Sequence, residues 1–304
     1  MEPKVSIIIP TFGRSDRITR AIDSALNQSY NNIEVIVVDD NDPKSIDRLK
    51  TEENVSKYLK NPKFKYFQHK KNLNGAVARN TGIKHSEGDY ITFLDDDDEY
   101  YNDKVMQQVN ALSNLDFSWG MCYTGYKKID QFGKIQVSAE KAEGFLPVQS
   151  LSKNLFMGSG SNFMIRKEII DEVNGFDETF QRNQDLEFMS RILLKYKIKY
   201  VNYMGILIHN EIREKKYTYN ETKAINLNYK KRFSKIIAQL SSDDQNKVWL
   251  ILSLIDLRAA LSFKEFGDAI SIYRNSKLNF IVLIKYFYYI LYRAVTKKSF
   301  GFKL

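Results

Sequence analysis

Residues 88–98 read Gly88-Asp89-Tyr90-Ile91-Thr92-Phe93-Leu94-Asp95-Asp96-Asp97-Asp98, a short apolar run that stops in four consecutive carboxylates. The run is rich in aromatic and β-branched side chains and bounded by turn residues, which predicts a buried strand. Four adjacent carboxylates repel one another, so a loop that holds them needs a compensating cation or full solvation. A solvated acidic turn is the simpler reading of an acidic run. Its position directly after an apolar strand favours a cation site instead. A hard divalent ion, Mg²⁺ or Mn²⁺, takes one or two carboxylates plus phosphate oxygens.

The same arrangement recurs upstream. Val5-Ser6-Ile7-Ile8-Ile9 is an apolar run closed by Pro10. Ile18, Ala21, Ile22, Ala25 and Leu26 follow at helical spacing, with Asp16 as the expected N-cap. Ile33 to Val38 predicts a second buried strand, ending in Asp39-Asp40, and Phe64 to Phe67 predicts a weaker one. Residues 74–84 predict a helix with Ala76, Val77, Asn80 and Ile83 near one face. Strands alternating with helices imply right-handed crossovers and a mostly parallel sheet. In such sheets ligands bind outside the carboxyl ends of the strands. Pro10-Thr11-Phe12, Asp39-Asp40 and Asp95 to Asp98 all fall at such ends, and this is the first functional signal.

Downstream, Met121 to Tyr126 and Asn162 to Arg166 predict strands, with Gly158-Ser159-Gly160-Ser161 as a loop between them. Helices are expected over 167–173 and 184–196, and a strand over 201–208. After about residue 215 the pattern turns helical, with apolar helices over 248–263 and 278–292.

The chain has 304 residues, 43% hydrophobic and 27% charged, which excludes a disordered chain and a polytopic membrane protein. Its single cysteine, Cys122, excludes an intrachain disulfide and a four-cysteine zinc site, and fits a reducing compartment. No stretch reads as a secretory signal, and no window of ~18 uncharged apolar residues predicts a membrane span. The net charge of +9 is uneven. Residues 1–210 hold 28 Lys+Arg against 29 Asp+Glu, whereas residues 211–304 hold 18 against 8. The basic excess therefore sits in the last third, which suggests a second functional part facing an anionic partner.

Single residues are ambiguous by themselves. The Asp39-Asp40 pair either caps the next helix or bonds a base or ribose. Asp185, near a helix start, either complements the helix dipole or serves as a general base. His209 follows an apolar strand, where a histidine is more often structural than a metal ligand.

Taken together the motifs carry a resemblance. Val5-Ser6-Ile7-Ile8-Ile9-Pro10-Thr11-Phe12, Val37-Val38-Asp39-Asp40, Asn74-Gly75-Ala76-Val77-Ala78-Arg79-Asn80, the 88–98 stretch, and Gly175-Phe176-Asp177-Glu178 followed by Gln184-Asp185 resemble, in this order, family-2 glycosyltransferases of the bacterial surface-polysaccharide type. The resemblance covers roughly residues 4–210. It implies an α/β GT-A (Rossmann-like) nucleotide-sugar-binding domain with a mostly parallel central sheet, followed by a helical C-terminal region. The expected division is a catalytic domain over 1–212, with a nucleotide-binding half to about 100 and an acceptor-side half beyond it, then a basic helical region over 213–304.

The resemblance also implies roles. Pro10, Thr11, Phe12 and Asp39 line the nucleotide pocket, with Asp39 on the base, and Arg79 stands near the nucleotide. Asp95, Asp96 and Asp97 form the Asp-X-Asp element. Asp95 approaches the ribose, Asp96 stands beside the nucleotide and Asp97 holds Mn²⁺ or Mg²⁺ on the diphosphate. Asp185 is the catalytic base, and His209 lies where some relatives contribute a metal-binding histidine. Two positions depart from the family pattern. Gln184 replaces the usual Glu before the base, and Asp39-Asp40-Asn41-Asp42 replaces Asp-Asp-X-Ser.

The implied activity is inverting, metal-dependent transfer from a nucleotide-diphosphate sugar, a UDP-sugar being the commoner case. The implied acceptor is a hydroxyl of a glycan or lipid-linked saccharide. From Lys277 to Leu304 the chain carries six Lys/Arg, no acid, and interleaved aromatics, a pattern suited to the headgroups of an anionic membrane. The expected location is therefore cytoplasmic, peripheral on the inner face of the plasma membrane, and no nucleic-acid partner is expected. A homodimer through these helices is the alternative use of the same surface. The rival readings are a membrane-docked nucleotide-sugar-binding protein without activity, and a sugar-nucleotidylyltransferase. The latter needs a Gly-rich basic loop after the first strand, which Pro10-Thr11-Phe12-Gly13-Arg14 does not supply.

Overall fold

The computed structural model describes residues 2–210 and 217–304. Two units are present: one holds the chain up to Phe145 together with Met157–Asn210, the other holds Leu146–Phe156 and the chain after Asn210. The boundary expected after residue 212 lies outside the described residues.

The first unit starts with strictly alternating elements. Strand β1 (Val5–Thr11), helix α1 (Ile18–Leu26), β2 (Ile33–Asp39), α2 (Ile46–Ser56), β3 (Phe64–Gln68), α3 (Gly75–Lys84) and β4 (Tyr90–Phe93) follow one another. The four strands pair in parallel in the order β3-β2-β1-β4, and Thr11 stands in register with Asp39. Strands β2 and β4 are buried throughout, which is why their sequences are continuous apolar runs. Helix α1 buries Ile18, Ala21, Ile22 and Ala25, as its spacing predicted.

Two local expectations are corrected, and one helix is new. Asp16 does not cap α1. A turn over residues 14–17, with the Arg17 amide on the Arg14 carbonyl, makes Arg17 the first flanking residue and leaves Asp16 exposed beside it. Helix α3 buries Ala76, Ala78, Gly82 and Ile83 rather than Val77 and Asn80. It packs so closely on β1 that a Cβ on Gly82 would lie 2.4 Å from Ile8 Cγ2, so small residues define its inner face. Helix α2 was not legible as an apolar stripe. Its buried residues are Arg48, Thr51 and Val55, and its signal is the Ser45 cap, whose hydroxyl accepts from the Arg48 amide at 3.1 Å.

Beyond β4 the chain continues through β5 (Asp98–Tyr100), α4 (Lys104–Ser113), β6 (Trp119–Asp130) and β7 (Ile135–Ser138). A short helix α5 (Pro147–Leu151) belongs to the second unit. The first unit then resumes with a 3-10 turn at Gly160–Asn162, β8 (Phe163–Arg166), α6 (Lys167–Glu172), α7 (Gln184–Leu193) and β9 (Lys197–Asn210). The sheet turns antiparallel at β4-β8 and β8-β6. Strand β9 runs parallel to β6 and takes β5 antiparallel on its other pairing. The GT-A-type α/β unit expected from the sequence is present, with a parallel half and an antiparallel extension.

The second unit is helical, as expected: α8 (Tyr219–Ile237), α9 (Ser242–Ser262), α10 (Phe266–Asn275) and α11 (Phe280–Thr296). Helix α8 opens with a capping box between Thr218 and Glu221. The core here gathers Leu254, Leu257 and Ala260 of α9 with Ala269, Leu278, Tyr286, Tyr289 and Phe302.

One buried cation stands out in the first unit. Lys104 has no exposed surface, donates to Thr92 Oγ1 at 3.1 Å, and lies 3.8 Å from the Tyr100 ring centroid. Burial pushes its pKa down to about 7. A lowered pKa means the folded state binds this proton less tightly than the unfolded state, so stability rises with pH from about 7 towards the ordinary lysine value. Replacing Lys104 by Met keeps the volume and removes the buried charge. Lys104→Met is expected to raise the melting temperature, more at pH 6 than at pH 10, by calorimetry at both values. An equal or opposite effect at the two pH values overturns the assignment of a strained buried charge.

Candidate active site

The carboxylates after β4 do not point in one direction. The Asp98 amide donates to the Asp95 carbonyl at 3.0 Å and closes a β-turn. This turn brings Asp98 back to the side of Asp95 and Asp97. Each of the three offers an oxygen, all within 4.8 Å of one another. Asp96 faces away. It accepts from Thr11 Oγ1 at 2.7 Å and from Arg14 at 2.7 Å, and burial pushes its pKa up to about 6. Arg14 also lies 2.8 Å from Asp97, so one guanidinium serves two adjacent acids.

Asp98 is 2% exposed and accepts from Ser159 Oγ at 2.9 Å and Ser161 Oγ at 2.8 Å. Burial holds its carboxyl well above the usual range, and the charges of Asp95 and Asp97 add to this. Ser161 Oγ in turn accepts the Asp95 amide at 2.9 Å. Three hard oxygen donors that converge in this way fit a Mg²⁺ or Mn²⁺ ion.

Arg79 connects this cluster to the second predicted acid. Asn74 caps helix α3, its side chain accepting from the Ala76 and Val77 amides. One turn on, Arg79 donates to Asp95 Oδ1 at 2.6 Å and to Gln184 Oε1 at 3.2 Å. Asp185 is the second residue of α7. Burial raises its pKa; Arg79 opposes that shift and Asp95 adds to it. Gly160 lies against it, and a Cβ there would sit 3.3 Å from Asp185 Cβ. The structure thus brings Arg79, Asp95 and Asp185 into one electrostatic group.

The two acids after β2 are enclosed. Asp39 has no exposed surface. Its oxygens take Arg48 Nε at 2.9 Å, Tyr66 Oη at 2.6 Å and the amide and side-chain nitrogens of Asn41. Asn41 Oδ1 then accepts the Gly13 amide at 2.7 Å, which ties the loops after β1 and β2 together. Asp40 accepts from His69, Asn72 and the Leu73 and Asn74 amides, and so folds the loop that leads into α3. Both therefore build the wall at these strand ends. Phe12 stands out from it, 56% exposed, between buried Thr11 and exposed Gly13.

His209 is not a member of the group whose oxygens lie within 4.8 Å of one another. Pairing of β9 with β5 sets it beside Glu99, with Nε2 2.6 Å from Oε1. The sequence reading missed three participants. Asp98 joins the cluster through a turn that a run of identical residues does not announce. Arg14 was legible only as a basic residue two positions after Phe12. His69 enters through Asp40, 29 residues upstream in sequence.

Comparison with known proteins bears on the fold and the family. An uncharacterised glycosyltransferase of Rickettsia felis is 36% identical over 196 residues, 63% of this chain and 31% of that protein. The amylovoran biosynthesis glycosyltransferase AmsB of Erwinia amylovora is 34% identical over 194 residues, 61% of this chain and 62% of its own length. The chain thus spans about a third to two thirds of these relatives. Among solved structures, S. aureus TarS residues 1-349 in complex with UDP-GlcNAc matches with a TM-score of 0.58 at 21% identity, covering 86% of this chain and 73% of that one. The mannosyltransferase PcManGT of Pyrobaculum calidifontis, in complex with GDP-Man and Mn²⁺, matches with a TM-score of 0.60 at 16% identity, covering 96% and 81%. These likenesses establish a shared fold. Residues 6–173, more than half of the chain, match the profile of Glycosyl transferase family 2, and the chain belongs to that family.

Proposed function

We propose that this protein is an inverting, metal-dependent glycosyltransferase that moves a sugar from a UDP-sugar to a hydroxyl of a glycan or lipid-linked saccharide in bacterial surface-polysaccharide synthesis. The observation that carries this reading is the convergence of Asp95, Asp97 and Asp98 at the end of β4, with Arg79 joining them to Asp185. The names of AmsB and TarS support the polysaccharide setting and the UDP-linked donor, and the Mn²⁺ complex of PcManGT supports the metal. We further place the protein at the inner face of the plasma membrane as a peripheral enzyme.

In this reading Pro10, Thr11 and the exposed ring of Phe12 pack the nucleotide. Asp39 shapes the base side through Asn41 and Arg48, since its own oxygens are engaged. Asp95 stands at the ribose. Asp96 acts through Thr11 and Arg14 rather than on the nucleotide itself. Asp97, with Asp98 beside it, would hold Mn²⁺ or Mg²⁺, while His209 serves Glu99. Bound there, the metal supplies Lewis-acid stabilisation of charge on the leaving diphosphate. Arg14 and Arg79 add fixed positive charge on the same side. Asp185 takes the proton from the acceptor hydroxyl as that oxygen attacks the anomeric carbon from the face opposite the leaving group. One displacement inverts the configuration. Partial burial favours this task, because a raised pKa makes the carboxylate a stronger base.

The direct test is thermal stabilisation by nucleotide diphosphates with and without Mn²⁺. A ligand at about 100 times its Kd stabilises by about 2.7 kcal/mol, several degrees in melting temperature for a chain of this size. UDP with Mn²⁺ is expected to give that shift, and Asp97→Ala to remove it. If no nucleotide stabilises the protein under any metal condition, the reading fails. Asp185→Asn is expected to lower transfer by about 10²–10⁴-fold while the UDP–Mn²⁺ shift persists. Because the Asp185 pKa is raised, kcat should fall as pH drops through a value above the ordinary carboxylate range. An acidic limb at the ordinary aspartate value, or near-normal turnover in the Asn variant, would remove Asp185 from the role of base.

A further inference from the structure

Helix α11 is apolar on two opposite faces. Tyr286 and Tyr289 are buried against Leu254, Leu257 and Phe302, with Val282, Leu283 and Ile290 partly covered beside them. Phe280, Ile281, Ile284, Tyr288, Leu291 and Val295 point the other way and are 53–71% exposed. From Ile281 onward their spacing of three and four residues forms one continuous stripe down the helix. A helix that is apolar all round is normally covered on both sides, and an exposed stripe of this length marks a contact surface.

The surrounding charge says what kind of surface covers it. Lys285 within α11 and Lys277, Lys298 and Lys303 flanking it in sequence are exposed, and no acid occurs from residue 277 to residue 304. Two copies meeting through this face would bring like charges together. An anionic bilayer supplies both an apolar layer for the stripe and phosphates for the lysines. Lys285 lies among the apolar residues, and no helix among the described residues is long and apolar enough to cross a membrane, so α11 would lie along the surface. At about 1.5 Å per residue its 17 residues give a footprint about 25 Å long.

We infer that the exposed face of α11 is the surface by which this protein rests on an anionic phospholipid membrane. The inference rests on the peripheral placement proposed above and names the residues that carry it.

The experiment is flotation of the full chain with vesicles of phosphatidylcholine alone or mixed with phosphatidylglycerol, without nucleotide. The protein is expected to float with the mixed vesicles, less so as salt is raised, and not with phosphatidylcholine alone. Ile284→Glu with Leu291→Glu should abolish flotation. Both positions are exposed, so the melting temperature should hold. Lys285→Glu with Lys298→Glu should weaken binding by about tenfold or more, each charge near such a surface contributing ~1 kcal/mol. Absence of flotation on mixed vesicles, or equal flotation of the Glu variants, overturns the inference. A concentration-dependent dimer that the Ile284/Leu291 variant breaks, with no flotation, assigns the face to a second copy and overturns it too. The UDP–Mn²⁺ melting shift, measured on the same variants, separates failure of this surface from failure of the transferase reading.

Discussion

Four carboxylates in a row at the end of a buried strand repel one another, and much of the first unit is arranged to offset that repulsion. The turn over residues 95–98 splits the four into three that converge and one that leaves. Asp96 is matched by Arg14 and Thr11, Asp95 by Arg79, and Asp98 by two serine hydroxyls. Each partner comes from a different segment. Repulsion among the acids thus becomes a requirement on the loop after β1, on helix α3 and on the turn before β8. A site that needs cations from several directions holds those segments in place when they are supplied.

The strand-end wall uses the same logic with deeper burial. Asp39 and Asp40 are adjacent in sequence, yet they serve different neighbours. Asp39 secures Asn41, Arg48 and Tyr66, and through Asn41 it reaches Gly13. Asp40 secures His69 and the chain entering α3. Buried carboxylates are tolerable when several donors surround them, and the cost of losing one donor is correspondingly high. The loops at the carboxyl ends of β1, β2 and β3 are therefore not independent pieces of surface.

The central strands were legible because their residues are buried on both faces and read as continuous apolar runs. The placement of Thr11, Asp39 and Asp95 at one edge of the sheet followed from βαβ topology alone. Helix α2 was invisible because its inner face is polar and serves Asp39 through Arg48. The inner face of α3 was misread because Gly82 and two alanines buy close approach to β1, and small residues carry little periodicity. In the site, Asp185 and Arg79 were identified from motif order. Arg14 and His69 were not, because their partners lie tens of residues away, and Asp98 was not, because a run of identical residues does not announce the turn that returns it to Asp95 and Asp97. The exposed stripe of α11 was visible as aromatic and basic composition. Which of its two apolar faces stays uncovered was decided by packing on α9.

The three residues Ser159-Gly160-Ser161 touch both acid groups of the site. The serines hold Asp98 and the Asp95 amide, while Gly160 lies against Asp185. The converging carboxylates and Asp185 are thereby fastened to one short turn. Substitutions on the two sides share a mechanical support, so their free-energy effects should not add.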